Sequence, residues 1–113
     1  MRMILVKANE GTLYNAPNHY EMWGVRKVGA PEGTQKVTMS ISEFLPSGGA
    51  TMSAADKERI YYVLRGTVII KDEQGTEYVM NENDTIYIAA GEKREMLVTG
   101  LVAARVLVVV VNN

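Results

Sequence analysis

The feature that most constrains this chain is a series of short segments in which apolar and polar residues alternate, separated by turn residues. In one of them, Val37, Met39 and Ile41 alternate with polar residues, and Pro46 and a pair of glycines follow. A period of two places successive side chains on opposite faces of a strand, whereas no window has a convincing helical period. The pattern predicts strands at 36–42, 59–64, 67–71, 77–80, 85–88, 94–99 and 104–111.

Short strands at regular spacing, with glycine and asparagine turns between them, predict an antiparallel sandwich or barrel. The 113 residues suffice for one domain with a core but not for two. Before the predicted strands, residues 1–35 combine two prolines and four glycines with Tyr14, Tyr20 and Trp23. Because this aromatic content argues against disorder, we expect an irregular but ordered N-terminal segment, 1–35, followed by a β-barrel, 36–111.

Charge and composition exclude several classes of protein. The net charge of -1 gives no electrostatic reason to expect nucleic acid or an anionic membrane as a partner. The absence of cysteine excludes disulfides, thiolate metal sites and thiol nucleophiles. The apolar stretch at the N-terminus is too short for a signal peptide, and the run 106–111 is too short to span a bilayer. We therefore expect a cytoplasmic protein.

Two segments resemble the sequence motifs of the cupin family. Residues 58–66, ERIYYVLRG, are similar to the family's EEIYYVLEG, and residues 84–91, DTIYIAAG, resemble its GDTVYIPAG. Residues 44–49, FLPSGG, also look like the Pro-Gly-Gly lead-in of the first motif. The resemblance implies an all-β jelly roll (double-stranded β-helix barrel) with the N-terminal segment packed on the barrel or on a partner subunit.

A small barrel of this kind leaves strand edges and an apolar face that need covering, so we expect a homodimer. The aromatic N-terminal segment and the valine run 108–111 are the expected contributors to its interface.

The resemblance also implies that the family's metal ligands are missing. In the cupin pattern three histidines and a glutamate converge on a metal, and the aligned positions are Ser53, Ala55, Arg59 and Arg94. A guanidinium stays protonated and cannot coordinate a cation. The single histidine, His19, lies outside both motifs. We expect no bound metal and no other cofactor.

Arg59 and Arg94 are the main candidates for ligand binding. If the motif registers hold, both guanidinium groups point into the barrel, where the metal of other cupins would lie. Two desolvated positive charges need an anion, and the planar guanidinium suits a carboxylate or a phosphate. Alternatively, each pairs with an internal acid such as Asp56, Glu92 or Glu95, or extends into solvent.

Four further residues are predicted to line the cavity. Alternation is expected to turn Tyr61 and Tyr87 inward, Ser53 is one of the aligned motif positions, and Met52 precedes it. A buried phenol can orient a ligand or move a proton, although an aromatic core residue is the alternative.

His19 and Tyr61 are the candidate catalytic residues. His19 is the side chain that titrates nearest neutral pH, and its alternative role is a hydrogen-bonded structural one. The leading function is a metal-independent cupin that binds a small carboxylate. The alternative is a metal-independent lyase, isomerase or cyclase acting on a small carboxylate or carbohydrate acid, and a structural or accessory role is a third possibility.

Overall fold

A computed structural model describes residues 3–112 and contains nine β-strands, which confirms the predicted all-β jelly roll. The strands are β1 (Thr12–Tyr14), β2 (His19–Val28), β3 (Val37–Ser53), β4 (Arg59–Arg65), β5 (Thr67–Asp72), β6 (Glu77–Met80), β7 (Thr85–Ile88), β8 (Arg94–Thr99) and β9 (Ala104–Val111). A short 3-10 helix, Ala30–Glu32, follows β2. No helix within residues 3–112 is both long and apolar enough to cross a membrane.

The long strand β3 belongs to both halves of the sheet, whose strand order is β6-β5-β8-β3-β9-β4-β7. Its first part pairs with β9, from Val37 opposite Val111 to Phe44 opposite Ala104. Its last part pairs with β8, and β2 pairs along its other edge. The strand therefore bends from one half of the barrel to the other. At Gly49 a Cβ would lie 2.0 Å from the carbonyl oxygen of Met96, so only glycine allows β3 and β8 to approach this closely.

The N-terminal segment is more regular than predicted. The ten-residue strand β2 pairs with β3, and β1 pairs with β2. Tyr20, Trp23 and Val25 favour strands, and the exposed edge of β3 offers backbone groups that need hydrogen-bond partners. The strand was not predicted because Gly24, a residue that is unfavourable inside strands, interrupts its pattern. Gly24 is required because a Cβ there would lie 2.4 Å from the ring of Tyr14, which packs over it.

Burial changes along the strands, so that one end of the barrel is filled and the other is open. On β9, Ala104 and Val106 are fully buried, whereas Val108 and Val110 are only half-buried. The apolar core occupies the filled end and extends to the base of the cavity; it is formed by Phe44, Tyr61, Val63, Val68, Ile70, Met80, Ile88, Met96, Val98, Ala104 and Val106. The fold thus encloses its apolar residues at one end and leaves a cavity at the other.

The outer surface of β2, β3, β9, β4 and β7 is largely apolar. One row of directly paired residues crosses all five strands: Val28, Met39, Val109, Ile60 and Tyr87. The predicted alternation of β3 is present, but its apolar side faces outward and its polar side faces the interior. A contiguous apolar surface of this kind is typical of an interface.

We propose that two copies of the chain associate through this apolar outer face. Light scattering at micromolar concentration should then give the mass of two 12.5 kDa chains. Ile60→Glu places a charge in the proposed interface and should produce monomers, because an unpaired buried carboxylate is costly. Leu101→Glu is the matched control, since Leu101 is 95% exposed and lies in the β8–β9 connection, outside the strands that form this face. A wild-type protein that is monomeric would contradict the proposal.

Candidate ligand-binding cavity

The open end of the barrel contains a cavity of about 600 Å3. Because strand side chains alternate, each strand contributes every second residue to its wall. The first part of β3 contributes the polar residues Thr38, Ser40 and Ser42 to the wall. The adjacent wall from β9 is apolar and comprises Val106, Val108 and Val110. The cavity therefore has a hydroxyl-bearing side next to an aliphatic side.

Arg94 enters the cavity from the start of β8 and is 9% exposed. Its Nη1 donates a hydrogen bond to the carbonyl oxygen of Ser53 at 2.9 Å, and its Nη2 donates to the hydroxyl of Tyr61 at 3.0 Å. Both acceptors are neutral. For residues 3–112, every ion pair within 4.0 Å involves other side chains. The charge of Arg94 is thus hydrogen-bonded without being neutralised.

Arg59 lines the same cavity from the start of β4. Its Nε is buried and has no hydrogen-bond partner in the described part of the chain. Leaving a buried donor unpaired costs free energy, more so for a charged group. Of the internal acids proposed as alternative partners, Glu95 pairs instead with Lys71 at 3.9 Å. Arg59 therefore has an unpaired N–H group that could donate a hydrogen bond to an anionic ligand.

The charges around the cavity are predominantly positive. Arg59, Arg94, Lys57 and Arg26 line it. Arg26 is neutralised by a two-pronged ion pair with Glu32. Asp56 is the one carboxylate among the described lining residues, and it is exposed to solvent. The cavity consequently favours an anion.

Of the other predicted binding residues, the structure brings two to the cavity and leaves two outside it. Tyr61 is buried beside Arg94, and Ser53 accepts the hydrogen bond from Arg94 described above. Tyr87 was predicted to face inward, which is wrong. It pairs directly with the outward-facing Ile60, is 58% exposed and donates a hydrogen bond to Glu58.

Met52 also lies outside the cavity wall, contrary to prediction, and its side chain is exposed. The pairing of β3 with β8 is irregular between Ala50 and Ser53. Strand neighbours face opposite sides, so Ser53 inside the cavity leaves Met52 outside it.

His19 is the first residue of β2 and lines the cavity. Its Nδ1 lies 2.6 Å from the carbonyl oxygen of Pro17. A carbonyl oxygen can only accept a hydrogen bond, so Nδ1 carries the ring proton. Nε2 of the neutral ring is then free to accept a hydrogen bond or a proton. Burial lowers the pKa of His19 below its ordinary 6.5, the bond to Pro17 opposes this, and the charges of Arg94 and Arg59 lower the pKa further. The neutral imidazole is therefore the dominant form at pH 7.

Sequence reasoning missed several wall residues, namely Tyr14, Thr38, Ser40, Ser42 and Phe44. The alternation of polar residues at 38, 40 and 42 was visible in the sequence. The polar face of a strand is usually solvated, so the pattern alone did not indicate that these residues line a cavity.

The four positions aligned with cupin metal ligands do come together around the cavity. Ser53, Ala55, Arg59 and Arg94 all line it. Their donor set does not fit a metal, because two are permanently protonated guanidinium groups and Ala55 has no donor atom in its side chain. Between residues 3 and 112, no three His, Asp or Glu side chains are grouped to hold an ion. The unpaired Nε of Arg59 needs an acceptor rather than a cation.

The purified protein should accordingly contain no stoichiometric transition metal. The measurement is elemental analysis after mild purification and dialysis, on wild type and on Arg94→Ala as a control for loss of the guanidinium. Near one equivalent of iron, manganese, nickel or zinc per wild-type chain would show that the ligand positions are misassigned.

Comparison with known proteins identifies the family. Residues 40–110 match the sequence profile described as a cupin domain. A protein named beta-D-galactosidase from Mycobacterium tuberculosis is 30% identical over 95 residues, which cover 83% of this chain and 81% of that protein.

Two solved structures show the similarity of the fold. The polyketide cyclase RemF of Streptomyces resistomycificus has a TM-score of 0.83 at 24% identity, covering 97% of this chain and 80% of that one. A predicted oxalate decarboxylase of Thermotoga maritima has a TM-score of 0.80 at 16% identity, covering 97% of this chain and all of that one. The family match, the relative and the barrel agree that this chain belongs to the cupin family.

Proposed function

We propose that this protein is a metal-independent cupin that binds a small organic carboxylate in its cavity. The observation that carries the proposal is the pair Arg59 and Arg94, which line one cavity without a carboxylate partner in the described part of the chain. A desolvated guanidinium is favourable only when an anion or sufficient hydrogen-bond acceptors surround it. The cytoplasmic location stays a prediction.

The hydrogen bonds of Arg94 leave room for such a ligand. A guanidinium has five N–H donors, and the structure uses one from Nη1 and one from Nη2 of Arg94. The hydroxyl of Tyr61 accepts one of these bonds and keeps its own proton to donate. Together with the unpaired Nε of Arg59, these donors suit the two oxygens of a carboxylate.

Glycoside hydrolysis receives less support from the cavity. A relative of this chain is named beta-D-galactosidase. Glycosidases typically use two carboxyl groups, one as acid and one as base or nucleophile. Asp56 is the one such group that lines the cavity within residues 3–112. The described residues therefore supply half of that arrangement.

Arg94→Ala should weaken the binding of small carboxylates about ten- to hundredfold, because a charged hydrogen bond contributes about 1.5–3 kcal/mol. Calorimetry against a panel of mono- and dicarboxylates measures this loss. Thermal stability without ligand should change little, since no buried acid is left unpaired. Arg94→Lys keeps the charge but loses the planar donor arrangement, so its affinity should be intermediate.

Arg105→Ala is the matched control, because Arg105 is an exposed arginine that pairs with Glu43 on the outer surface. It should leave carboxylate affinity unchanged. Strong destabilisation by Arg94→Ala with unchanged carboxylate binding would show that Arg94 is structural.

The second candidate is a metal-independent enzyme, a lyase, isomerase or cyclase on such an acid, and His19 favours it. Its neutral ring lies in the cavity with the arginines and offers Nε2 as a base. Arg59 and Arg94 would stabilise negative charge that develops in the substrate, and His19 or Tyr61 would move the proton. The neighbour named polyketide cyclase is 24% identical and shares the fold.

His19 should make stability depend on pH with a definite sign. Because the folded pKa lies below the unfolded value of 6.5, the folded state binds the proton less readily. Its stabilising contribution is complete above pH 6.5 and is lost as the pH falls from 6.5 through the lowered folded pKa. Thermal unfolding of wild type and His19→Gln between about pH 5 and pH 8 should show this loss in wild type only.

His19→Gln also tests the hypothesis that the protein is an enzyme. With a carboxylate that wild type binds and converts, His19→Gln should retain affinity and lose turnover, and the wild-type rate should rise with pH and level off above pH 6.5. Full turnover by His19→Gln would exclude His19 as the base.

A further inference from the structure

Two buried serines of β3 have hydroxyl groups that open onto the cavity and have no hydrogen-bond partner among residues 3–112. Ser40 is 5% exposed and Ser42 is 4% exposed, and both line the cavity. Neither hydroxyl takes part in a hydrogen bond with any residue from Met3 to Asn112. Because these hydroxyls face the cavity, their hydrogen bonds must come from whatever fills it, either water or a ligand. These groups therefore point to an occupant with hydrogen-bonding atoms of its own.

The two serines belong to a longer row. Thr38 is next along the same face, and its Oγ1 accepts a hydrogen bond from Nδ2 of Asn112 at 2.9 Å. Alternate residues of a strand lie about 7 Å apart, so the row from Thr38 to Ser42 extends about 14 Å. A simple aliphatic acid has no polar atoms, apart from its carboxylate, that could form hydrogen bonds with this row of hydroxyl groups.

The register of the strands shows how an occupant would lie. Val108 of β9 pairs with Ser40 on one side and with Tyr61 of β4 on the other. Val110 likewise lies between Thr38 and Arg59. The valines thus form an apolar floor between the hydroxyl row and the arginine side. Two strand spacings separate these sides by about 10 Å.

We propose that the ligand is a cyclic carboxylic acid with several hydroxyl groups. Its ring rests on the valines of β9, its carboxylate reaches Arg59 and Arg94, and hydroxyls on its opposite edge bond to Ser40 and Ser42. This inference rests on the carboxylate site proposed above. Sugar acids and phenolic acids share this chemistry, and matched probes separate them.

The experiment measures the affinity of four acids by calorimetry. Glucuronate is compared with cyclohexanecarboxylate, and gallate is compared with benzoate. In at least one pair the hydroxylated acid should bind about tenfold more tightly, as expected for two additional hydrogen bonds. Preference in the first pair identifies a sugar acid, and preference in the second identifies a phenolic acid.

Ser40→Ala combined with Ser42→Ala should abolish this preference while leaving the affinity for the unhydroxylated acid unchanged. The variant should fold, because the two hydroxyls make no hydrogen bond within the described chain. Thr85→Ala is the control, since Thr85 is exposed on β7 and pairs with the outward-facing Tyr62. It should retain the full preference.

The outcomes separate this inference from the function on which it rests. If the four acids bind and neither hydroxylated member binds more tightly, the hydroxyl row is not used and the inference is wrong, whereas the carboxylate site stands. The inference is also wrong if the double serine variant keeps the preference. If wild type binds none of the acids, the proposed carboxylate function fails as well.

Discussion

The architecture depends on one constraint, the need of β3 to satisfy its backbone hydrogen bonds while bending between the two halves of the barrel. β9 and β8 share one edge of the strand in succession, and β2 occupies the other edge. Because alternate residues of a strand share a face, one interior face of β3 provides the cavity residues Ser40 and Ser42 and also Phe44, which lies between the cavity and the core. The pairing that closes the barrel therefore also determines which side chains meet inside it.

The electrostatics of the cavity reverse those of a metal-binding barrel. Where other cupins have ligands that attract a cation, this chain has two fixed cations and few acids, so the complementary species is an anion. Neutral acceptors from Ser53 and Tyr61 hold Arg94 in place without cancelling its charge. One barrel geometry can thus serve ligands of opposite charge, which is why fold alone does not assign function.

The sequence predicted the fold well because period-two alternation is local. Arg94 and Tyr61, which the motif spacing singled out, line one cavity in the structure, and their role in binding stays a prediction. The errors arose where orientation depends on distant partners. Tyr87 and Met52 face outward because of cross-strand register and an irregular pairing, which no local pattern reports. β2 was missed because its pattern is interrupted by a glycine on which an aromatic ring packs. The polar face that carries Ser40 was not assigned to the cavity, because alternation alone does not tell which face of a strand lies inside.

Because burial changes along the strands, the two ends of the barrel have different roles. Side chains at the filled end supply most of the apolar burial, while those at the open end line the cavity in which we propose that a ligand binds. We therefore expect that substitutions of cavity residues outside the apolar core cost little folding free energy. Divergent evolution can then proceed at one end with the other preserved, consistent with a shared fold at 24% and 16% identity.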